Sequence, residues 1–196
     1  VLASMADQAL YLRRPDQALR LARVARDASQ RAGTPVAVTE ASILEARAHA
    51  AHGDEAGCTA ALRRAEGSFN RVRPGESPDW ARHWSEAMFA SHAGTCWIEL
   101  RKPDEARAML QLLWNATTDQ ARRRVYGAVQ LSRAELLNGD VEQAASYATT
   151  AVESVAGLTS QRSRNHLVQL RKQLAPYHHV AAVEEFERRV DLLLEG

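Results

Sequence analysis

Lysine is nearly absent from this chain: of 25 basic residues only Lys102 and Lys172 are lysines, and arginine supplies the rest. The formal net charge is only +1, which excludes the strongly basic chains that coat nucleic acid and names no partner by bulk charge. Arginine still matters locally, because a planar guanidinium binds carboxylates and phosphates in a bidentate way that an ammonium cannot. Cysteine is equally scarce. Cys58 and Cys96 stand 38 residues apart in helix-like sequence, with no C-x-x-C spacing. They are expected to be buried thiols in a reducing cytoplasm. No apolar run approaches the roughly 18 to 20 residues that span a bilayer, and the start has no signal-like segment, so no membrane partner is expected.

Catalytic signatures are missing as well. There is no H-E-x-x-H, G-x-S-x-G, Walker loop or G-x-G-x-x-G, and the ten glycines fall at turns or singly within helices. The sequence therefore predicts no enzyme and no cofactor, with His83, Glu86 and His92 as scattered titratable residues. His49 and His52 could share a helix face, and His178-His179 lie in a turn. Zinc needs three or four convergent ligands, so no metal is expected.

What is present is helix. Hydrophobic residues make up 45% and charged residues 25% of 196 residues, enough for one domain, 1–196, with a sizeable core. Ala-, Leu- and Arg-rich segments with apolar residues at helical spacing alternate with short turns, and no stretch alternates with period two, so the fold is expected to be all-α.

Four turns align: Arg13-Arg14-Pro15-Asp16-Gln17-Ala18, Gly53-Asp54-Glu55-Ala56-Gly57-Cys58, Arg101-Lys102-Pro103-Asp104-Glu105-Ala106 and Gly139-Asp140-Val141-Glu142-Gln143-Ala144. Each ends on a small residue, Ala18, Cys58, Ala106 or Ala144, placed early in a second helix where two helices would cross closely. That is the pattern of a tetratricopeptide repeat, in which one helix pair cannot bury its own apolar face and needs stacked neighbours. A right-handed superhelix of about five antiparallel helix pairs is expected. Gly33 before Thr34-Pro35, Ser77-Pro78, and Gly157 before Leu158-Thr159-Ser160 would punctuate it. Ser163 to Ala175 and Val180 to Leu194 would form a fifth pair across Pro176-Tyr177-His178-His179, with Glu184, Glu185, Glu187, Arg188 and Arg189 as a polar outer cap. The one irregular place is the loop from Arg73 to Asp79, followed by a long helix from about Trp80 to Leu100. Trp80, Trp84 and Trp97 on that helix, and Trp114 in the next, are expected in the core, Trp80 being the exception.

Further residues carry a resemblance to a family: Leu62-Arg63-Arg64-Ala65-Glu66, Arg73-Pro74-Gly75-Glu76, Pro78-Asp79-Trp80, Glu86-Ala87 with Ala93-Gly94, then Arg162-Ser163-Arg164, Leu174-Ala175-Pro176 and Val183-Glu184-Glu185-Phe186. Over nearly its whole length the chain resembles the C-terminal repeat domain of bacterial Xre-type helix-turn-helix regulators. Ser85 stands where members often carry an acidic residue. The resemblance implies a DNA-binding module preceding Val1, so contact with DNA would come only through a domain absent from this chain. The repeats would serve as a sensor or oligomerisation module. The chain starts in helix-like sequence without an initiator Met, which fits the expectation of a fragment.

Tetratricopeptide stacks bind along a concave groove lined by the first helix of each pair. Counting back from each small turn residue nominates Asp7, Arg47, Thr95, Arg133 and Arg171, with Glu40, Met88, Tyr126 and Arg164 nearby and Ile43, Ser91, Val129 and Leu167 one turn on. The candidate groove residues are Arg47, Met88, Tyr126, Arg133, Arg164 and Arg171. Their mixture of cationic and apolar groups suits a peptide, a protein segment or a small anionic ligand. Against this stands solvation of the same arginines, or their pairing with Glu45, Glu99 and Glu135, each such surface pair contributing about 0 to 1 kcal/mol. The expected function is thus a ligand- or peptide-sensing repeat domain of a transcriptional regulator. The alternative is a protein scaffold or oligomerisation module, a homodimer included, with no small ligand and no role in DNA binding. A large apolar patch on an end helix would mark it.

Overall fold

The computed structural model describes residues 1–73, 79–81, 84–117, 120–155 and 161–195. Among these there are ten α-helices, two 3-10 turns and no strand, so the all-α expectation holds. None of these helices is long and apolar enough to cross a membrane. The chain divides into two compact units, Val1–Leu100 and Arg101–Gly196.

The first unit holds α1 (Leu2–Tyr11), α2 (Pro15–Arg31), α3 (Pro35–Ala51), α4 (Glu55–Phe69) and α5 (Glu86–Glu99). Successive helices pack as neighbours from α1 to α4, and α3 also meets α1 and α5. The second unit holds α6 (Pro103–Asn115), α7 (Ala121–Asn138), α8 (Val141–Val155), α9 (Gln161–Leu174) and α10 (Ala181–Glu195). There α7 packs between α6 and α8, α9 lies on α7 and α8, and α10 packs chiefly on α8.

The four aligned turns share one backbone device. Their first residues, Arg13, Gly53, Arg101 and Gly139, all adopt the left-handed conformation, with φ of 57°, 72°, 59° and 84°. This conformation ends a helix in a turn and is costly for any residue but glycine. The restart of the next helix is achieved in two ways. Pro15 and Pro103 occupy the first helical turn, where a missing N–H costs nothing. Asp54 and Asp140 instead accept the backbone N–H of Gly57 and Gln143, each at 2.9 Å. Immediately after, Ala18, Cys58, Ala106 and Ala144 are fully buried. At Gly57 a β-carbon would fall on the side chains of Asp54 and His49, whereas Gln143 fills the same place beside the Asp140 cap.

Between pairs, Gly33 (φ 63°) ends α2 and Pro35 opens α3, as the sequence predicts. Ser77-Pro78 and Gly157 to Ser160 lie outside the described residues, as does His83. The expected long helix from Trp80 to Leu100 does not form. Asp79–Ala81 is a separate 3-10 turn, and α5 starts only at Glu86. Ser85 explains this start: its backbone is extended (φ −150°, ψ 169°) and its hydroxyl accepts the N–H of Met88 at 3.3 Å, so it caps the helix. Trp80 is 53% exposed, while Trp84, Trp97 and Trp114 are half-buried. Near the other end, α9 runs to Leu174, a 3-10 turn spans Ala175–Tyr177, and α10 follows, close to the expected bounds. However, α10 packs chiefly on α8 and only marginally on α9, so these two helices do not form the expected pair.

The two cores are filled differently. In the first unit Ala6 and Ala22 pack on Leu44, and Ala9 and Ala18 on Ala48. In the second, Val125, Leu167, Leu170, Leu174, Val183, Phe186 and Val190 make one cluster.

Candidate functional site

Charge is sorted by helix rather than spread evenly. In the first unit the odd-numbered helices carry Asp7, Glu40, Glu45, Glu86 and Glu99 against Arg47 alone. In the second, α7 and α9 carry Arg122, Arg123, Arg124, Arg133, Arg162, Arg164, Arg171 and Lys172 against Glu135 alone. Glu135 is itself buried and taken by Arg107 of α6, whose Nε and Nη2 donate to it at 2.9 and 2.7 Å. The near-zero net charge of the chain conceals a basic pair of helices.

Within that pair the side chains of α7 and α9 form a connected set. Arg133 donates to the Gln130 amide oxygen at 2.9 Å, and the Gln130 amide nitrogen donates to the Tyr126 hydroxyl at 2.8 Å. These three are spaced three and four residues apart, so they climb one helix face. Gln130 is only 3% exposed, which fixes the chain of bonds against the core. The Tyr126 ring meets His166 of α9 edge to face, with centroids 5.5 Å apart. Burial pushes the His166 imidazole below its ordinary range, and the positive charges of Arg162 and Arg133 push it further. Burial and the two guanidiniums both disfavour the charged ring, and an incoming anion would relieve the second of these effects.

The nominated residues fall into place unevenly. Tyr126 and Arg133 belong to this set, Arg164 is exposed on α9, and Arg171 reaches Asp191 of α10 at 2.8 Å. In the first unit Arg47 donates to Asp7 at 2.8 Å, joining two positions chosen by the same count on α1 and α3. Arg47 and Thr95, a third such position, line one cleft of about 260 Å³ together with Leu10, Arg13, Pro15, Ala51, Cys96 and Glu99. Met88 sits in the capped first turn of α5 and is half-buried. The positions one turn on, Ile43, Ser91, Val129 and Leu167, are buried.

The carboxylates expected to neutralise the nominated arginines are bound to other ones. Glu45, 3% exposed, accepts from Arg23 (3.3 Å), Arg26 (2.6 Å) and Arg64 (3.0 Å), tying α2 and α4 to α3. Glu99 pairs with Arg13 at 3.6 Å. His49 and His52 face separate carboxylates, Asp54 at 2.7 Å and Asp16 at 3.2 Å, and do not converge. Cys58 and Cys96 are buried, as expected, and no disulfide joins them. Their thiols touch: the hydrogen bond between them lowers the Cys58 thiol, and the same bond with full burial pushes Cys96 well above the usual thiol range.

Gln130, His166 and the Arg13–Glu99 pair were not singled out as groove residues from the sequence. The run of basic residues on two odd-numbered helices was readable there, since it needs only helix boundaries and a count. No protein-family model, curated protein or solved structure matches this chain.

Proposed function

We propose that this chain is a tetratricopeptide-type sensing module that receives an acidic peptide or anionic ligand on the α7/α9 face. In this reading it serves a cytoplasmic Xre-type helix-turn-helix regulator, and DNA is contacted by another part of the same gene product. The observation that carries the binding step is eight basic residues against one buried, paired acid on α7 and α9, with Arg133, Gln130, Tyr126 and His166 connected among them. The shared left-handed residue in four turns supports the repeat geometry. Occupancy would regulate only if the two conformations of the regulator differ in ligand affinity.

The test uses a short Glu-rich peptide. Saturable, salt-sensitive binding is expected, with the His166 resonances reporting a raised imidazole pKa, because bound carboxylates offset Arg133 and Arg162. Arg133→Glu should weaken the peptide about tenfold or more, since it removes an attraction and adds a repulsion. Equal affinity in a folded variant rejects the site. For the regulator itself, a gel shift with the full gene product should be sequence-specific and should respond to the peptide; a product that ignores DNA removes the regulator reading.

One observation favours the scaffold as the second reading. Met5, Tyr11 and Leu12, on and just after α1, are 47%, 45% and 51% exposed. Apolar side chains gathered on an end helix suit a protein partner or a second copy. Sedimentation of the chain and of Met5→Glu decides: a dimer lost in the variant supports this reading, and a monomer in both removes the homodimer.

A further inference from the structure

The geometry points to a second binding site, in the first unit: the cleft between α1, α3 and α5 takes a small zwitterion of amino-acid size, its carboxylate on Arg13 and its ammonium on Glu99. This site is separate from the α7/α9 face and does not depend on the regulator reading.

Four observations build it. The cleft is about 260 Å³, below the roughly 300 to 1,000 Å³ of sites for drug-sized ligands, so its occupant is small. Its walls carry both signs of charge, Arg13 and Arg47 against Glu99, which rejects a plain anion or cation less well matched than a molecule bearing both. Arg13 and Glu99 stand 3.6 Å apart, beyond hydrogen-bond distance, with the Arg13 side chain 78% exposed. A pair this loose and wet is held weakly, so a ligand carboxylate can displace Glu99 from the exposed Arg13 at little cost and bring its ammonium beside Glu99. Arg47, only 16% exposed and anchored to Asp7, holds a fixed positive charge alongside.

The remaining walls choose the side chain. Leu10, Pro15 and Ala51 are apolar, and Cys96 is a protonated thiol because its bond to Cys58 and its burial both hold the proton on. A neutral thiol behaves as a small hydrophobic group. The lining therefore offers a short aliphatic chain apolar contacts beside the two charges.

Calorimetry on the whole chain tests this with L-leucine, N-acetyl-leucine, which lacks the ammonium, and leucinamide, which lacks the carboxylate. Leucine should bind saturably at one site, and each analogue at least tenfold more weakly. Glu99→Gln should weaken leucine and leave N-acetyl-leucine unchanged, a split that a merely structural role for Glu99 would not produce. Ala51→Leu fills the cleft from an exposed position at the end of α3 and should abolish binding with the helical circular dichroism intact. Absence of saturable leucine binding, equal affinity for all three compounds, or full affinity in folded Ala51→Leu would each overturn the site.

Discussion

The two units solve the same packing problem with different proportions of small and large residues. In Val1–Leu100 the helices are brought together over alanines, Ala6 on Ala22 and Ala9 on Ala18 and Ala48, and α2, α3 and α4 are tied by Glu45 and its three arginines. In Arg101–Gly196 buried alanines such as Ala144, Ala145, Ala148 and Ala151 are joined by many larger Leu, Val and Phe side chains, with Phe186, Leu167, Leu170 and Leu174 almost fully buried. Small residues give a short interhelix distance and little apolar area per residue, so a buried charge network adds specificity where transfer energy is modest. Large residues give more area, and the buried carboxylate of that unit, Glu135, is held by Arg107 of α6. The outer charge differs with the same division, acidic on the odd-numbered helices of one unit and basic on those of the other. A chain with near-zero net charge can thus carry one surface suited to anions and one that is not.

The contrast can be broken by substitutions of opposite kind. Phe186→Ala in α10 should have the largest effect, about 3 to 5 kcal/mol lost in urea unfolding, because it opens a cavity among Val183, Val190 and their neighbours. In the first unit the damaging change is enlargement: Ala18→Leu forces α2 off Ala9 and Ala48 and should cost about 1 to 3 kcal/mol. If Ala18→Leu is tolerated while Phe186→Ala is not, the alanine contacts are looser than the structure has them. Glu45→Gln should cost about 1 to 2 kcal/mol, less than a fully buried pair, because Arg23 is 52% and Arg64 33% exposed and water can take over part of their solvation. A neutral result would assign the cohesion of α2, α3 and α4 to packing alone. The smallest change is a gain. Arg101→Gly removes a left-handed arginine and should stabilise by up to about 1 kcal/mol, whereas an unchanged melting temperature would show that the turn bears no strain.

Much of the fold was legible because it is punctuated. The four turns could be aligned from sequence since the left-handed position, the helix-starting Pro or Asp and the small crossing residue are local demands, each satisfied by few residue types. The helix before Leu100 was misread because apolar spacing continues through Trp80 and Trp84. Ser85 followed by Glu86, a capping residue with an acid in the first turn, was the signal that outweighed it. The candidate site was legible only in part. Counting from the turns placed Asp7, Arg47 and Thr95 on one face, and the structure joins Asp7 to Arg47 and sets Arg47 with Thr95 around one cleft. The same count could not foresee that Arg171 turns to Asp191, or that Gln130 and His166 would complete the set around Tyr126 and Arg133. Those pairings depend on side-chain reach between helices, which periodicity does not encode.

The alanine contacts of the first unit also constrain how its sequence can drift. A single nucleotide change converts an alanine codon to Gly, Ser, Thr, Val, Pro, Asp or Glu, and only Gly and Ser come close to alanine in volume. At Ala6, Ala18, Ala22 and Ala48, each fully buried, most one-step mutations therefore add bulk or charge where the helices leave no room. The second unit meets the reverse exposure: its large side chains shrink more readily than they grow, and neighbours can slump into part of the space. Random mutation should accordingly extinguish the first unit through crowding and wear down the second by gradual loosening.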